Sequence, residues 1–205
     1  IQFNNSSSNL RVTGDFINNG TFSPGEGKVT FEGNTDQLIQ GTSVPRFHGL
    51  RINTSGTVSL ETDIELSGLL QPDAGTIDWN NHTVTLVSGT DIQGAIGTIA
   101  DNSEIIGDSI IYHRFFPAAS GNWRMLATPL TDATFEQWND DIPTTGFPGA
   151  DYPNYPSAAN PWPNIRKYSD ANVDNDMSAG FYAIGGITET IENGAGYFTY
   201  FIPSG

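Results

Sequence analysis

The sequence predicts an all-β protein: a right-handed parallel β-helix-like stack of short strands, followed by a β-sandwich or jelly-roll module. Apolar residues alternate with polar ones over short stretches in the first half of the chain. Like stretches recur there about every 20 residues, while the second half is rich in Pro and aromatic residues. We therefore expect two domains, at residues 1–112 and 113–205, with the second truncated at its C-terminal end.

The strands of the first half are predicted from pairs of apolar residues spaced two apart. This period-two pattern is typical of strands, and Gly, Asn, Asp or Ser supplies a turn between nearly all of them. The pairs are Leu10/Val12, Val29/Phe31, Leu50/Ile52, Val58/Leu60, Ile64/Leu66, Ile77/Trp79 and Val84/Leu86.

The spacing between these strands predicts how they stack. Positions 58 and 77, 77 and 96, and 86 and 105 are each 19 residues apart, and positions 64 and 84 are 20 apart. A repeat of that length with two or three strands is typical of one coil of a parallel β-helix. A β-sandwich with hairpins at similar spacing is the alternative, but Asn-Gly hairpin turns between long alternating strands are few.

The second half predicts one short helix and a set of strands around a long loop. The helix is expected at 132–140, where Phe135 and Trp138 are three residues apart and Asp132 is a candidate N-cap. Strands are expected at 165–170, 180–186, 188–193 and 196–202, after a loop from Pro143 to Pro163.

The charge balance disfavours two classes of partner. Lys and Arg number 8 against 23 Asp and Glu, and the resulting net charge of −15 repels nucleic acid and anionic membranes. No apolar run approaches the length of a membrane span, so we expect no membrane insertion. Scarce Lys with abundant Asn, Thr, Ser and Gly is typical of bacterial proteins that are extracellular or on the outer cell surface.

Five stretches carry a resemblance to a family: GDFINNGTFSPGEGKVTFEGNTDQLIQG, FHGLRINTSGTVSLETDIELSGLL, WRMLATPL, FEQWNDDIPTTGFPGADYP and IENGAGYFTYF. They resemble the large repetitive secreted and surface proteins that Bacteroidetes-type bacteria export through the type 9 secretion system. The resemblance implies β-helical repeats before a β-sandwich module, and adhesion or scaffolding, including in gliding motility, more often than catalysis. Its implied partners are the rest of a longer parent chain, secretion components or a surface carrier.

One acidic segment has the spacing of a calcium loop. Asp170, Asn172, Asp174 and Asp176 alternate as calcium ligands do in the first positions of such a loop. Asn175 replaces the usual Gly and Phe181 replaces the closing Glu, so the segment is not an EF-hand. We therefore favour an acidic, solvent-exposed turn and expect no cofactor, with a calcium site at these residues as the alternative.

A second set of carboxylates lies along one predicted strand, at Glu61, Asp63 and Glu65. Paired carboxylates act as acid and base in polysaccharide cleavage, which needs two of them to converge in a groove. Side chains that alternate along one outward face more often form a solvated edge. We therefore expect no enzyme, and a polysaccharide-degrading β-helix protein is the alternative.

The long loop and the predicted helix before it hold candidate ligand-binding aromatics: Trp138, Tyr152, Tyr155 and Trp162, with Phe147 among them. Exposed rings beside polar side chains stack on the faces of sugars, because a ring offers apolar area with little loss of entropy. The competing interpretation, which the sequence favours, is that the rings pack the loop onto the domain. The sequence thus predicts a non-catalytic structural or adhesive segment of a larger secreted or cell-surface protein, with carbohydrate binding as the alternative function.

Overall fold

The fold comes from a computed structural model that describes residues 8–22, 24–116, 121–172 and 177–201. The chain divides into two compact units, Ile1–Pro117 and Ala118–Gly205. Strands make up 42% and helices 6%, which confirms the predicted all-β class. No helix in the described ranges is long and apolar enough to span a membrane.

The first unit is a β-solenoid of about four coils. Its strands within the described residues are β1 (Asn9–Val12), β2 (Phe16–Ile17), β3 (Lys28–Gly33), β4 (Gln37–Gln40), β5 (Arg46–Phe47), β6 (Gly49–Leu60), β7 (Ile64–Leu66), β8 (Leu69–Asp78), β9 (Val84–Leu86), β10 (Ala95–Ile96), β11 (Ser103–Ile106) and β12 (Ile110–Tyr112). One sheet contains β1, β3, β6 and β8, with β4 beside β6, β2 beside β4, and β10 and β11 beside β8; a second runs β5-β7-β9-β12. Neighbouring strands within both sheets are parallel, which confirms the predicted stack.

Equivalent apolar residues of successive coils form columns that build the core. In one column, Leu10 pairs with Val29, Val29 with Leu50, Leu50 with Leu70, and Leu70 with Ile96. The three central members are buried, and the outer two pack against the same core. Because strand side chains alternate between faces, a slip of one residue would turn a whole column toward water, so burial specifies the register.

The predicted coil length holds for the middle coils and fails for the last one. Val58 pairs with Ile77 as predicted, but Ile77 pairs with Ile105 rather than with Ile96. The reason is a fold-back after β9, where the Gly94 N–H donates to the Val87 carbonyl at 2.6 Å. These inserted residues lengthen the coil, so the partners in β8 lie 26 residues before those in β10 and 28 before those in β11.

Aspartate side chains join neighbouring coils at the turns. One carboxylate oxygen each of Asp15, Asp36 and Asp63 accepts a hydrogen bond of 2.9 Å from a backbone N–H 20 to 23 residues further on. Each bond satisfies a backbone donor where the ladder of the sheet is interrupted. The turn aspartates therefore have a structural role in stacking the coils.

The second unit is one four-stranded antiparallel sheet covered by a helix and loops. Its elements within the described residues are β13 (Asn122–Leu126), α1 (Phe135–Asn139), β14 (Ile165–Tyr168), β15 (Phe181–Ala183), β16 (Tyr197–Phe201) and two 3₁₀ turns at Asp170–Asn172 and Met177–Gly180. The strand order is β13-β16-β14-β15. Phe135 of α1 and Phe147 of the long loop share a buried core with Ile165 and Tyr197 of the sheet. In the described residues, the layer facing the sheet is thus helix and loop, which makes the module only loosely a sandwich.

Two local predictions in this unit are wrong. The N-cap of α1 is Thr134 and not Asp132, because the Thr134 N–H donates to Oε1 of Gln137 at 2.7 Å in a capping box. Segment 188–193 is not a strand. Its Thr190 forms only an isolated bridge with Thr134, and the Ile191 N–H donates to the Ala133 carbonyl.

Phe47→Ala tests the solenoid core. Phe47 is fully buried, and its ring centroid lies 5.4 Å from Phe16 and 5.5 Å from Phe22. We expect the free energy of unfolding to fall by about 3–5 kcal/mol, because the cavity removes these contacts. The measurement is urea denaturation followed by circular dichroism.

The matched control is Val44→Ala in the same coil, where the side chain is 52% exposed. It should change the free energy of unfolding by less than about 0.5 kcal/mol. Equal effects of the two substitutions would contradict the assigned core.

Candidate functional site

The second unit carries a groove of about 760 Å³, called here the aromatic groove. This volume lies within the range of small-molecule binding sites. The lining residues are Pro143, Thr145, Tyr152, Tyr155, Pro156, Asn160, Pro161, Trp162 and Tyr200. Three of the four predicted ligand-binding aromatics, Tyr152, Tyr155 and Trp162, therefore lie together.

The open side of the groove presents three side chains to solvent. Tyr152 is 58% exposed, Tyr155 is 55% exposed, and Asn160 is also exposed. Among the described residues, neither the tyrosine hydroxyls nor the Asn160 amide has a hydrogen-bond partner. Each of these groups can both donate and accept a hydrogen bond, so the groove offers unused polar capacity beside apolar rings.

The inner wall of the groove is a cluster of packed rings. Trp162 meets Tyr200 at a centroid distance of 5.3 Å and Trp123 at 5.7 Å. The Arg166 guanidinium lies over both indoles, 4.8 Å from the Trp123 centroid and 5.6 Å from that of Trp162. Burial lowers the pKa of Arg166 from its ordinary value. This cation–π packing holds the Trp162 ring in place.

The loop that forms the groove is held by the buried side chain of Asn164. Its Nδ2 donates to the carbonyls of Pro143 and Tyr200, at 2.9 and 3.2 Å, and its Oδ1 accepts from the Thr145 N–H at 2.8 Å. Asn164 is fully buried, so it replaces the water that these backbone groups would otherwise need. One amide thus links both ends of the loop to β16.

Gly146 allows the two sides of the loop to approach closely. Its φ is +81°, and a Cβ atom there would lie 2.2 Å from the Trp162 carbonyl carbon. Any larger residue would displace the backbone that carries Trp162.

Some of the predicted aromatic side chains pack against the core of the second unit, and others are exposed to solvent. Trp138 meets Phe135 at 5.3 Å and Tyr197 at 6.0 Å, against the core of the unit rather than in the groove. Phe147 is buried in the same core. The packing alternative therefore describes these two rings, whereas Tyr152 and Tyr155 project to solvent.

The calcium hypothesis stays a prediction. Asp170 is exposed and begins the 3₁₀ turn that ends at Asn172, and Asp174 and Asp176 lie outside the described residues. Within the described ranges, there is no group of three or more His, Cys, Asp or Glu side chains suited to a metal ion.

The three carboxylates considered above as a possible catalytic set, Glu61, Asp63 and Glu65, each bind a group of a neighbouring coil. Glu61 Oε1 accepts from Asn80 at 3.0 Å, and Asp63 accepts the Thr83 N–H and lies 3.3 Å from His82 Nδ1. Glu65 pairs with Arg46 at 2.5 Å. This arrangement gives all three a role in stacking the coils.

Sequence reasoning missed Tyr200, Asn160 and Asn164. Tyr200 was visible only as a member of a predicted strand, and strand pairing brings it opposite Trp123. Asn160 and Asn164 are two of many Asn residues in loops. The one available signal was that Asn164 immediately precedes a strand, but that position alone does not identify a buried amide.

No known protein family, curated protein or solved structure matches this chain.

Asn164→Ala tests whether this amide holds the loop. The substitution removes three hydrogen bonds and leaves buried backbone groups without partners, so we expect the second unit to lose about 3 kcal/mol of stability. Thermal unfolding followed by tryptophan fluorescence provides the measurement. Asn160→Ala, an exposed change of the same residue type in the same loop, should leave the melting temperature within about 1 °C of the wild-type value. If both variants melt alike, Asn164 does not anchor the loop.

Proposed function

We propose that this chain is a non-catalytic segment of a secreted or cell-surface protein, with a scaffold role for its solenoid and carbohydrate binding by the aromatic groove of its second unit. The observation that carries the proposal is the exposure of Tyr152 and Tyr155 beside Trp162 and Tyr200. Tyrosine side chains that are more than half exposed, on a loop anchored by a buried amide, are already positioned for a ligand. Binding then loses little conformational entropy.

Carbohydrate fits the chemistry of this groove. A sugar ring has apolar C–H faces that stack on aromatic side chains, and hydroxyl groups at its edge that both donate and accept hydrogen bonds. The groove offers the matching pair of features, because its rings lie beside the side-chain polar groups of Tyr152, Tyr155 and Asn160, which have no partner in the described part of the chain.

A Pro-rich peptide is the competing occupant, since aromatic grooves also bind polyproline II helices. Proline has no N–H, so such a peptide presents mainly carbonyl acceptors. It would leave the acceptor capacity of Asn160 and of the two tyrosine hydroxyls unused. Sugar hydroxyls use both the donor and the acceptor capacity, which favours a glycan.

Removing the exposed rings tests the proposal. A glycan array screened with the whole chain would supply the ligand, and isothermal titration calorimetry would measure its affinity. We expect Tyr152→Ala and Tyr155→Ala each to weaken binding by about tenfold, equivalent to about 1.4 kcal/mol, because each removes a stacking surface.

The matched control is Tyr182→Ala, which removes a tyrosine that is 42% exposed on β15 and does not line the groove. It should bind the glycan as the wild-type chain does. Selection of Pro-rich peptides instead of glycans, or equal loss in all three variants, would refute carbohydrate binding at this groove.

The cellular setting that we propose rests on the resemblance of the five sequence stretches to proteins of the type 9 secretion system. The partners proposed with it are the rest of a longer parent chain and secretion components or a surface carrier. The ion-paired coils are consistent with a structural segment. Arg11 pairs with Glu32 at 3.3 Å and Arg46 with Glu65 at 2.5 Å, each across adjacent coils.

Isolation of the native protein from its source tests this setting. We expect a mass well above 22.1 kDa, because the segment would be part of a larger chain, and we expect secretion or motility proteins to co-purify. Mass spectrometry of the intact protein and of its co-purifying partners gives both results. A stand-alone product near 22.1 kDa would rule out the larger surface protein.

A further inference from the structure

We infer that the aromatic groove selects neutral glycans built from pyranose sugars with equatorial hydroxyls, and discriminates against uronic-acid, sulfated or sialylated chains. The inference rests on the proposed function and adds to it the chemical class of the sugar. Two features of the groove carry it: the uncharged lining, and the combination of flat rings with groups that both donate and accept.

No charged side chain lines the groove among the described residues. Its polar members are a threonine, an asparagine and three tyrosines. An anionic sugar needs a cation to replace the water lost from its carboxylate or sulfate, since an unpaired charge is expensive to desolvate. A neutral sugar meets no such requirement.

The nearest candidate cation is already engaged. Arg166 lies over Trp123 and Trp162, and its Nε donates to the Pro163 carbonyl at 3.0 Å. Turning the guanidinium toward a ligand would break the packing that holds the wall of the groove. Arg166 therefore shapes the wall of the groove and does not itself line it.

The charge of the whole unit acts in the same direction. Residues 118–205 contain ten Asp and Glu but only three Lys and Arg. The resulting field repels anionic polymers during their approach. An acidic glycan therefore gains neither electrostatic attraction during its approach nor an ion pair with the described lining of the groove.

The hydrogen-bonding groups and rings favour one sugar geometry. A pyranose with equatorial hydroxyls has axial C–H bonds on both faces, so a ring can stack on it without a hydroxyl between them. Its hydroxyls then point sideways, where Tyr152, Tyr155 and Asn160 offer donors and acceptors. Axial hydroxyls would interrupt the stacked face, and we expect sugars that carry them to bind more weakly.

The test compares neutral and anionic polysaccharides on the whole chain. Affinity electrophoresis in gels with xylan or mixed-linkage glucan represents the neutral class, and gels with polyglucuronate or carboxymethylcellulose, whose ring substituents are also equatorial, represent the anionic class. We expect retardation by at least one neutral polymer and at least about tenfold weaker binding of both anionic ones. Raising the salt from about 50 to 500 mM should change the neutral affinity by less than about twofold, because no ion pair is screened.

Asn160→Lys gives a gain-of-binding control. It places a cation on the exposed side of the groove, so we expect new, salt-sensitive retardation by polyglucuronate, while Tyr182→Lys produces none. Failure of Asn160→Lys to gain this binding would contradict the assigned lining. Wild-type binding of an anionic polymer as tight as that of the neutral ones would overturn the neutral class but leave carbohydrate binding intact. Failure to bind any polysaccharide or arrayed glycan would refute the proposed function itself.

Discussion

Backbone groups that leave water must find hydrogen-bond partners, and both units of this chain are organised around that requirement. In the solenoid, each coil supplies the partners of the next through parallel ladders. Where the ladders stop, Asp15 and Asp36 accept the backbone N–H of the following coil. In the long loop, backbone pairing is confined to an isolated bridge between Thr145 and Tyr152 and to turns, and the buried amide of Asn164 supplies further partners.

This requirement also accounts for the form of the candidate site. The loop pairs with itself where the N–H groups of Gly146 and Trp162 donate to the carbonyls of Tyr152 and Tyr155, and the Asn164 amide, with two donors and an acceptor, ties its ends to β16. Once the loop is held, Phe147 is free to enter the core while Tyr152 and Tyr155 remain outside. The aromatic groove is then rigid without being covered, which suits a binding surface.

Sequence-based predictions that depend on nearby residues were more accurate than those that depend on contacts between segments far apart in the chain. Alternation along a strand is local, and it predicted the strand around Ile64 and Leu66, while the regular spacing of like strands predicted the pairing of Val58 with Ile77. The pairing of Ile77 with Ile105 depends on a fold-back that has no apolar pattern of its own. Segment 188–193 has the composition of a strand but pairs only through Thr190. Tyr200 lines the groove because strand β16 lies beside β13. The residue pattern within either strand does not predict that pairing.

By itself, the sequence determined the all-β class, the stacking period of the middle coils, the negative charge and the presence of an aromatic loop. These properties depend on residue type and on spacing along the chain. Only the tertiary structure decided that Trp138 packs inward while Tyr152 and Tyr155 face solvent, and that Arg166 is enclosed by two indoles. Those outcomes depend on which distant backbone segments meet, and three-dimensional packing selects among side chains that look alike in sequence.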